Sequence, residues 1–232
     1  MNPLNKMNPT PLDPDIFTWC SGERLERFKK VFFHAYEFMT WSGFLAKEIQ
    51  AWIKFEIISE QLGLQEALNV TETSSVASDA LIGWARGHWE HRLETLYLNE
   101  KHNLDVVTCS LLRVKDQYLA FELYHRLKAG EEEFSELSWR FGEGKEKNSG
   151  GRLIRQRYDQ LPAGLHPLLR KLKSGEVLKP HRMGEWFVVL TLDELIPAQL
   201  DDATQTLLLN RELRQWAVAA QEYLTAQLEL GH

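Results

Sequence analysis

Apolar residues return every three or four positions through most of the first hundred residues. Leu25, Phe28, Phe32, Ala35 and Met39 mark one amphipathic helix between Ser21 and Leu64, and Leu45, Ile49, Trp52, Ile53 and Ile57 mark a second. Ser42-Gly43 predicts the break between them and Gly63 the stop. Asn69 to Ser75 is rich in Thr and Ser and has no period, which predicts a loop ending in a helix cap. The helical period resumes from Ser78 to about His102 through Leu81, Trp84, Trp89, Leu93, Leu96 and Tyr97, with Gly83 and Gly87 weakening its first half. Residues 1–15 carry Pro3, Pro9, Pro11 and Pro14 without a period, and read as a disordered tail or arm.

The pattern then changes. Val106 to Val114 is β-branched and apolar, which predicts a strand. Asp116 predicts the cap of a helix with a Leu119, Leu123 and Leu127 stripe, closed by Gly130. A short helix follows with Phe134, Leu137 and Phe141 inward. Gly142 to Arg152 is a charged, glycine-rich loop, and Leu153 to Gln156 a short strand. Pro162, Gly164 and Pro167 break the segment that leads to a helix at Leu168–Leu172. Trp186–Thr191 predicts the last strand, and Asp201 to about Leu228 a long helix with Leu208, Leu213, Trp216, Ala220 and Tyr223 on one face. Helices flanking a mixed region predict an α+β fold.

Composition narrows the function. With 232 residues, 44% hydrophobic and 26% charged, the chain can bury a core of one large or two small domains. Eight Trp residues need a core or an interface. Cys20 and Cys109 are too far apart in sequence for a disulfide framework or a metal motif, which suggests a reducing, cytoplasmic setting. No signal peptide or membrane span is read, so no membrane insertion is expected. The net charge of −6 argues against nucleic-acid binding. The charge is uneven: ten Lys/Arg against four Asp/Glu between Phe141 and Arg182 make a local +6, leaving −12 on the remainder. That segment is either a solvated basic face or a region that steers an acidic partner.

The ordered phrases Leu119-Ala120 to Leu127-Lys128-Ala129-Gly130, Glu133-Phe134-Ser135-Glu136-Leu137-Ser138, Gly150-Gly151-Arg152-Leu153 and Leu172-Lys173-Ser174-Gly175-Glu176-Val177 with Pro180 resemble the parvulin family of peptidyl-prolyl isomerases. The resemblance runs from about Val107 to Leu195. The flanking helices resemble bacterial chaperone-foldases, in which helical segments from both chain ends pack together. It implies a tail over 1–15, an N-terminal helical lobe over 16–104, a β-α-α-β-α-β domain over 105–197, and a C-terminal helix over 198–232 that packs on the lobe. The implied activity is rotation of X-Pro bonds without a covalent step or cofactor. The implied client is a proline-containing peptide or unfolded protein, with maturation or export machinery as a possible partner.

By position, the resemblance implies a proline pocket at Leu161 and Leu165, with Leu153 and Phe187 also touching substrate. The family's first-strand His falls at Leu111 and its second at Trp186 or Phe187, so both are replaced; its loop acid falls near Glu143 or Gly144. Strand alternation sets Cys109, Leu111 and Arg113 on one face, leaving Arg113 as the strong donor there. The candidate catalytic set is therefore Cys109, Leu111, Arg113, Glu143 and Trp186. Lost histidines also fit another class, a peptide-binding chaperone or adaptor that kept the fold without the reaction. Cys109 has a second reading as a small buried hydrophobe. His88 and His91, without a third ligand at a recognisable spacing, do not make a metal site. Trp41, Trp52, Trp84, Trp89 and Trp216 read mainly as lobe core.

Overall fold

The structure is a computed structural model that describes residues 14–63 and 75–229. The arm assigned to residues 1–15 therefore lies, up to residue 13, outside the described residues, as does the loop and cap of 69–75 up to residue 74. The chain divides into two compact units, one formed by the residues up to Tyr97 together with those from Leu200, the other by Leu98–Gln199.

The first unit is helical: α1 (Ile16–Trp19), α2 (Gly22–Phe32), α3 (Tyr36–Ser42), α4 (Leu45–Leu62) and α5 (Ser75–Trp89). The next helix, α6 (Leu93–Leu104), contains the division between the units. The single helix expected over Ser78–His102 is thus two, separated by a 3-10 turn at Glu90–Arg92. Gly83 and Gly87 do not interrupt α5, because Ala77, Ala80, Trp84, Ala85 and Trp89 bury its inner face. The long helix of the C-terminal segment (Asp202–Glu229) packs on α4 and α5 within this unit. Its Trp216 ring lies 4.9 Å from both the Trp19 and Trp84 rings. Trp41 departs from its expected core role: it is 85% exposed, as is its neighbour Phe44 to a lesser degree.

The second unit is built on a four-stranded antiparallel sheet. Its strands are β1 (Val106–Val114), β2 (Arg152–Arg157), β3 (Val177–Met183) and β4 (Trp186–Ile196), in the order β2-β1-β4-β3. Helices α7 (Gln117–Ala129) and α8 (Phe134–Phe141) follow β1, and one short turn, α9 (His166–Leu169), follows β2; the C-terminal helix is α10. Asp116 caps α7 by accepting from Tyr118 and Leu119 backbone N–H groups, as its position predicts. Strand β3 is absent from the sequence reading, and its chemistry explains why. Lys179 and Pro180 fall in an irregularity of the β3–β4 ladder between Leu178 and His181. Proline is tolerated there because no ladder N–H is needed, but it hides the strand pattern.

Alternation along β1 and β4 gives the sheet two apolar faces. Val107, Cys109, Leu111, Val188, Leu190 and Leu192 pack with Leu165, Leu168 and Leu169. Leu112, Val114 and Val189 pack on the other side with Ala120, Leu123 and Leu137 of α7 and α8. The first face carries the site.

Candidate functional site

A cavity of about 440 Å³ opens on the α9 face of the sheet. Leu111 and Arg113 reach it from β1, Trp186 and Val188 from β4, Met183 from the end of β3, and Pro162, Ala163, Gly164 and Leu165 from the loop before α9. The two-residue strand repeat explains both β pairs. Register brings the strands' contributions together: Arg113 lies opposite Val188, and Met183 opposite Trp186. The walls are aliphatic and aromatic, and the volume lies within the range of small-ligand pockets, about 300–1,000 Å³.

Arg113 is the charged side chain among the lining residues. Its Nε donates to Glu146 Oε1 at 2.7 Å, and its Nη2 donates to Glu146 Oε2. Glu146 is 8% exposed, on a 3-10 turn (Lys145–Ser149). That turn is pinned at the Glu146 carbonyl, which accepts from Gly151 N at 2.8 Å and Ser149 Oγ at 2.9 Å. The hydrogen-bonded Glu146 carboxylate raises the Arg113 pKa above the ordinary arginine value. The pair leaves the cavity without a net charge from these two groups.

At the rim, Lys115 Nζ lies 5.1 Å from the centre of the Trp186 ring and 3.5 Å from Glu185.

Four residues expected at the site meet at this cavity: Leu111, Arg113, Leu165 and Trp186. The others lie elsewhere. Cys109 sits within the core, fully buried, and burial pushes its thiol up to about 12. It is therefore a protonated apolar side chain and not a nucleophile. Leu153, the β2 partner of Cys109, packs against that same core, as does Leu161; neither lines the cavity. Phe187 points to the opposite face, against the α7 and α8 core, because it is one residue out of phase with Trp186 and Val188. Glu143 is exposed, and its carboxylate accepts from Lys115 N at 3.0 Å. The acid that meets Arg113 is Glu146 instead.

Met183, Gly184, Val188 and the Pro162-Ala163-Gly164 stretch of the cavity wall, and Glu146 paired with Arg113, were not among the residues expected at the site. Val188 follows from Trp186 by strand alternation. Met183 depends on the unrecognised β3, and Glu146 on the fold of an aperiodic loop.

Residues 113–194 match the model of the rotamase family, described as the PPIC-type PPIase domain. The parvulin resemblance of the sequence is thus borne out for this segment. No curated protein matches the chain. Among solved structures, PrsA peptidylprolyl isomerase of Bacillus anthracis is similar at 14% identity, covering 79% of this chain and 83% of its own, with a TM-score of 0.43. Foldase protein PrsA of Streptococcus pneumoniae is similar at 16% identity, covering 80% and 75%, with a TM-score of 0.44. A SurA-like chaperone structure from Campylobacter jejuni is similar at 13% identity, covering 94% and 92%, with a TM-score of 0.38.

Proposed function

We propose that this parvulin-type domain is a peptidyl-prolyl isomerase acting on X-Pro bonds of an extended peptide or unfolded protein client. The observation that carries the reading is the cavity itself. Leu111, Leu165, Met183, Trp186 and Val188 surround a space that suits a proline ring, on a segment that matches the isomerase family model. Turning the bond meets a resonance barrier of about 18–20 kcal/mol. Gripping the ring while the preceding residue turns lowers it if the twisted form is held more tightly than the planar one. No nucleophile, metal or cofactor is called for.

The first unit supplies the foldase part of the proposal. Its exposed Trp41 and Phe44 suit apolar segments of an unfolded client. We assign the protein to the cytoplasm on the same terms, since its two cysteines are free and buried. Maturation or export machinery is the partner class that such a foldase would serve.

A protease-coupled assay on the full chain, with Ala-X-Pro-Phe peptides covering apolar, acidic and basic X, tests the enzyme reading. A rate above background for at least one peptide is expected; none for any of them overturns it. A second reading, peptide binding without isomerisation, is favoured by Leu111, an aliphatic side chain in the cavity wall at the position where the sequence resemblance implies the family's histidine. It requires equal affinity for peptides with and without proline, which NMR titration measures directly.

A further inference from the structure

We propose that Arg113, positioned by Glu146, is the catalytic hydrogen-bond donor of the cavity, giving a guanidinium N–H to the prolyl nitrogen of the twisted X-Pro bond. This rests on the isomerase reading above and names the group that would do the work there. In the planar amide the nitrogen lone pair is delocalised into the carbonyl, so the nitrogen accepts no hydrogen bond. As the bond turns, the lone pair returns to the nitrogen and the carbonyl oxygen loses negative charge. A donor aimed at the nitrogen therefore holds the twisted state and not the planar one. A donor aimed at the oxygen would do the reverse and slow the reaction. No covalent bond forms or breaks, and no proton changes owner.

The geometry supplies a donor of this kind. A guanidinium carries five N–H groups in a rigid fork. Glu146 takes one from Nε and one from Nη2, which leaves three. Among the described residues, Arg113 makes no hydrogen bond to another acceptor, and it forms part of the cavity wall. The bidentate pair fixes the plane of the guanidinium, and the pinned 3-10 turn fixes Glu146 in turn. Gly144 belongs to the same construction, because a Cβ there would land on the Glu146 carboxylate. Glycine at 144 is thus what allows the acid to lie under Arg113. The other lining residues, among them Leu111, Met183 and Trp186, carry no ionisable group, so a donor with permanent charge is the one on offer.

A purely structural pair would hold the loop and leave turnover alone, and variants of the full chain separate the two roles. Arg113→Met should cut kcat/KM by about 10²–10³-fold, the usual effect of removing a preorganised donor, while peptide affinity by NMR titration stays within about twofold. Arg113→Lys keeps the charge and loses the fork, and should recover part of the rate. Glu146→Gln should lower kcat with little change in peptide affinity. Arg113→Met alone leaves a buried carboxylate unpaired and can unfold the loop. The double variant Arg113→Met/Glu146→Leu removes both charges, which is commonly tolerated, and should fold with wild-type circular dichroism yet remain as slow as Arg113→Met. The wild-type rate should be flat between about pH 6 and 9, since arginine does not titrate there.

A folded double variant with more than half the wild-type kcat/KM overturns the inference and leaves the isomerase reading standing. A wild-type protein with no activity on any X-Pro peptide removes the isomerase reading, and this inference with it.

Discussion

Gly151 is a position where a single methyl group tests the architecture of the site. It has φ +81°, and Gly175 has φ +79°, so alanine at either carries nearly the same backbone strain, about 1–2 kcal/mol. Their surroundings differ. A Cβ at Gly175 would meet nothing within 4 Å. At Gly151 it would lie 2.8 Å from the carbonyl oxygen of Leu111 and 3.0 Å from both the Phe134 ring and Ser138 Oγ. The first of these is backbone, which cannot turn aside without moving β1. Overpacking of this kind adds about 1–3 kcal/mol. Gly175→Ala should therefore cost about 1–2 kcal/mol and Gly151→Ala about 2–5 kcal/mol.

The assay is native-state hydrogen exchange on the full chain, read at the Leu111 amide, which donates to the Gly151 carbonyl at 2.8 Å. Urea unfolding by circular dichroism gives the accompanying loss of stability. Gly151→Ala should open that amide at least about tenfold more often than Gly175→Ala, the equivalent of about 1.4 kcal/mol. Peptide affinity should fall with it, since Leu111 is a wall of the cavity. Equal exchange in the two variants refutes the reasoning, because the steric difference between the sites would then count for nothing.

Leu165→Ala empties a fully buried cavity wall and should cost about 2–5 kcal/mol along with most peptide binding. Leu161→Ala, half-buried and outside the cavity, should change peptide affinity less than twofold, checked by the same titration. Cys109→Ala should leave kcat/KM unchanged, and the native Cys109 thiol should resist a thiol reagent at pH 8; rapid modification would contradict its burial. Burial lowers the His166 pKa, with Arg170 and His102 acting in the same direction and Asp105 opposing, while its ring stacks 4.4 Å from Tyr158. A histidine depressed in the folded state binds its proton more readily when unfolded, so its contribution is present above the unfolded pKa and lost as pH falls below it. Unfolding free energy should drop between about pH 7 and 5, and His166→Phe should flatten that slope.

Much of the architecture was legible because it depends on local chemistry. The Asp116 cap and the Gly130 stop of α7 are each set within a few residues. The face shared by Leu111 and Arg113 follows from the two-residue repeat of β1. Trp41 shows the opposite: its place in a helical pattern says nothing of whether a partner covers it. Strand β3 escaped for a related reason. An edge strand with Pro180 in an irregular stretch makes few demands on its own sequence and is defined by β4 beside it.

By itself, the sequence determined the α+β class, most helix ends, and the order of motifs that marks a parvulin-type segment, because these rest on period, caps and turns. It also placed Leu111 and Arg113 on one face of the first strand. Tertiary structure alone decided which side chains meet. Phase along β4 turned Phe187 away and Trp186 inward, and the depth of β1 buried Cys109. The fold of a loop without periodicity put Glu146, and not Glu143, under Arg113, because a contact across 33 residues is settled by packing and charge in space.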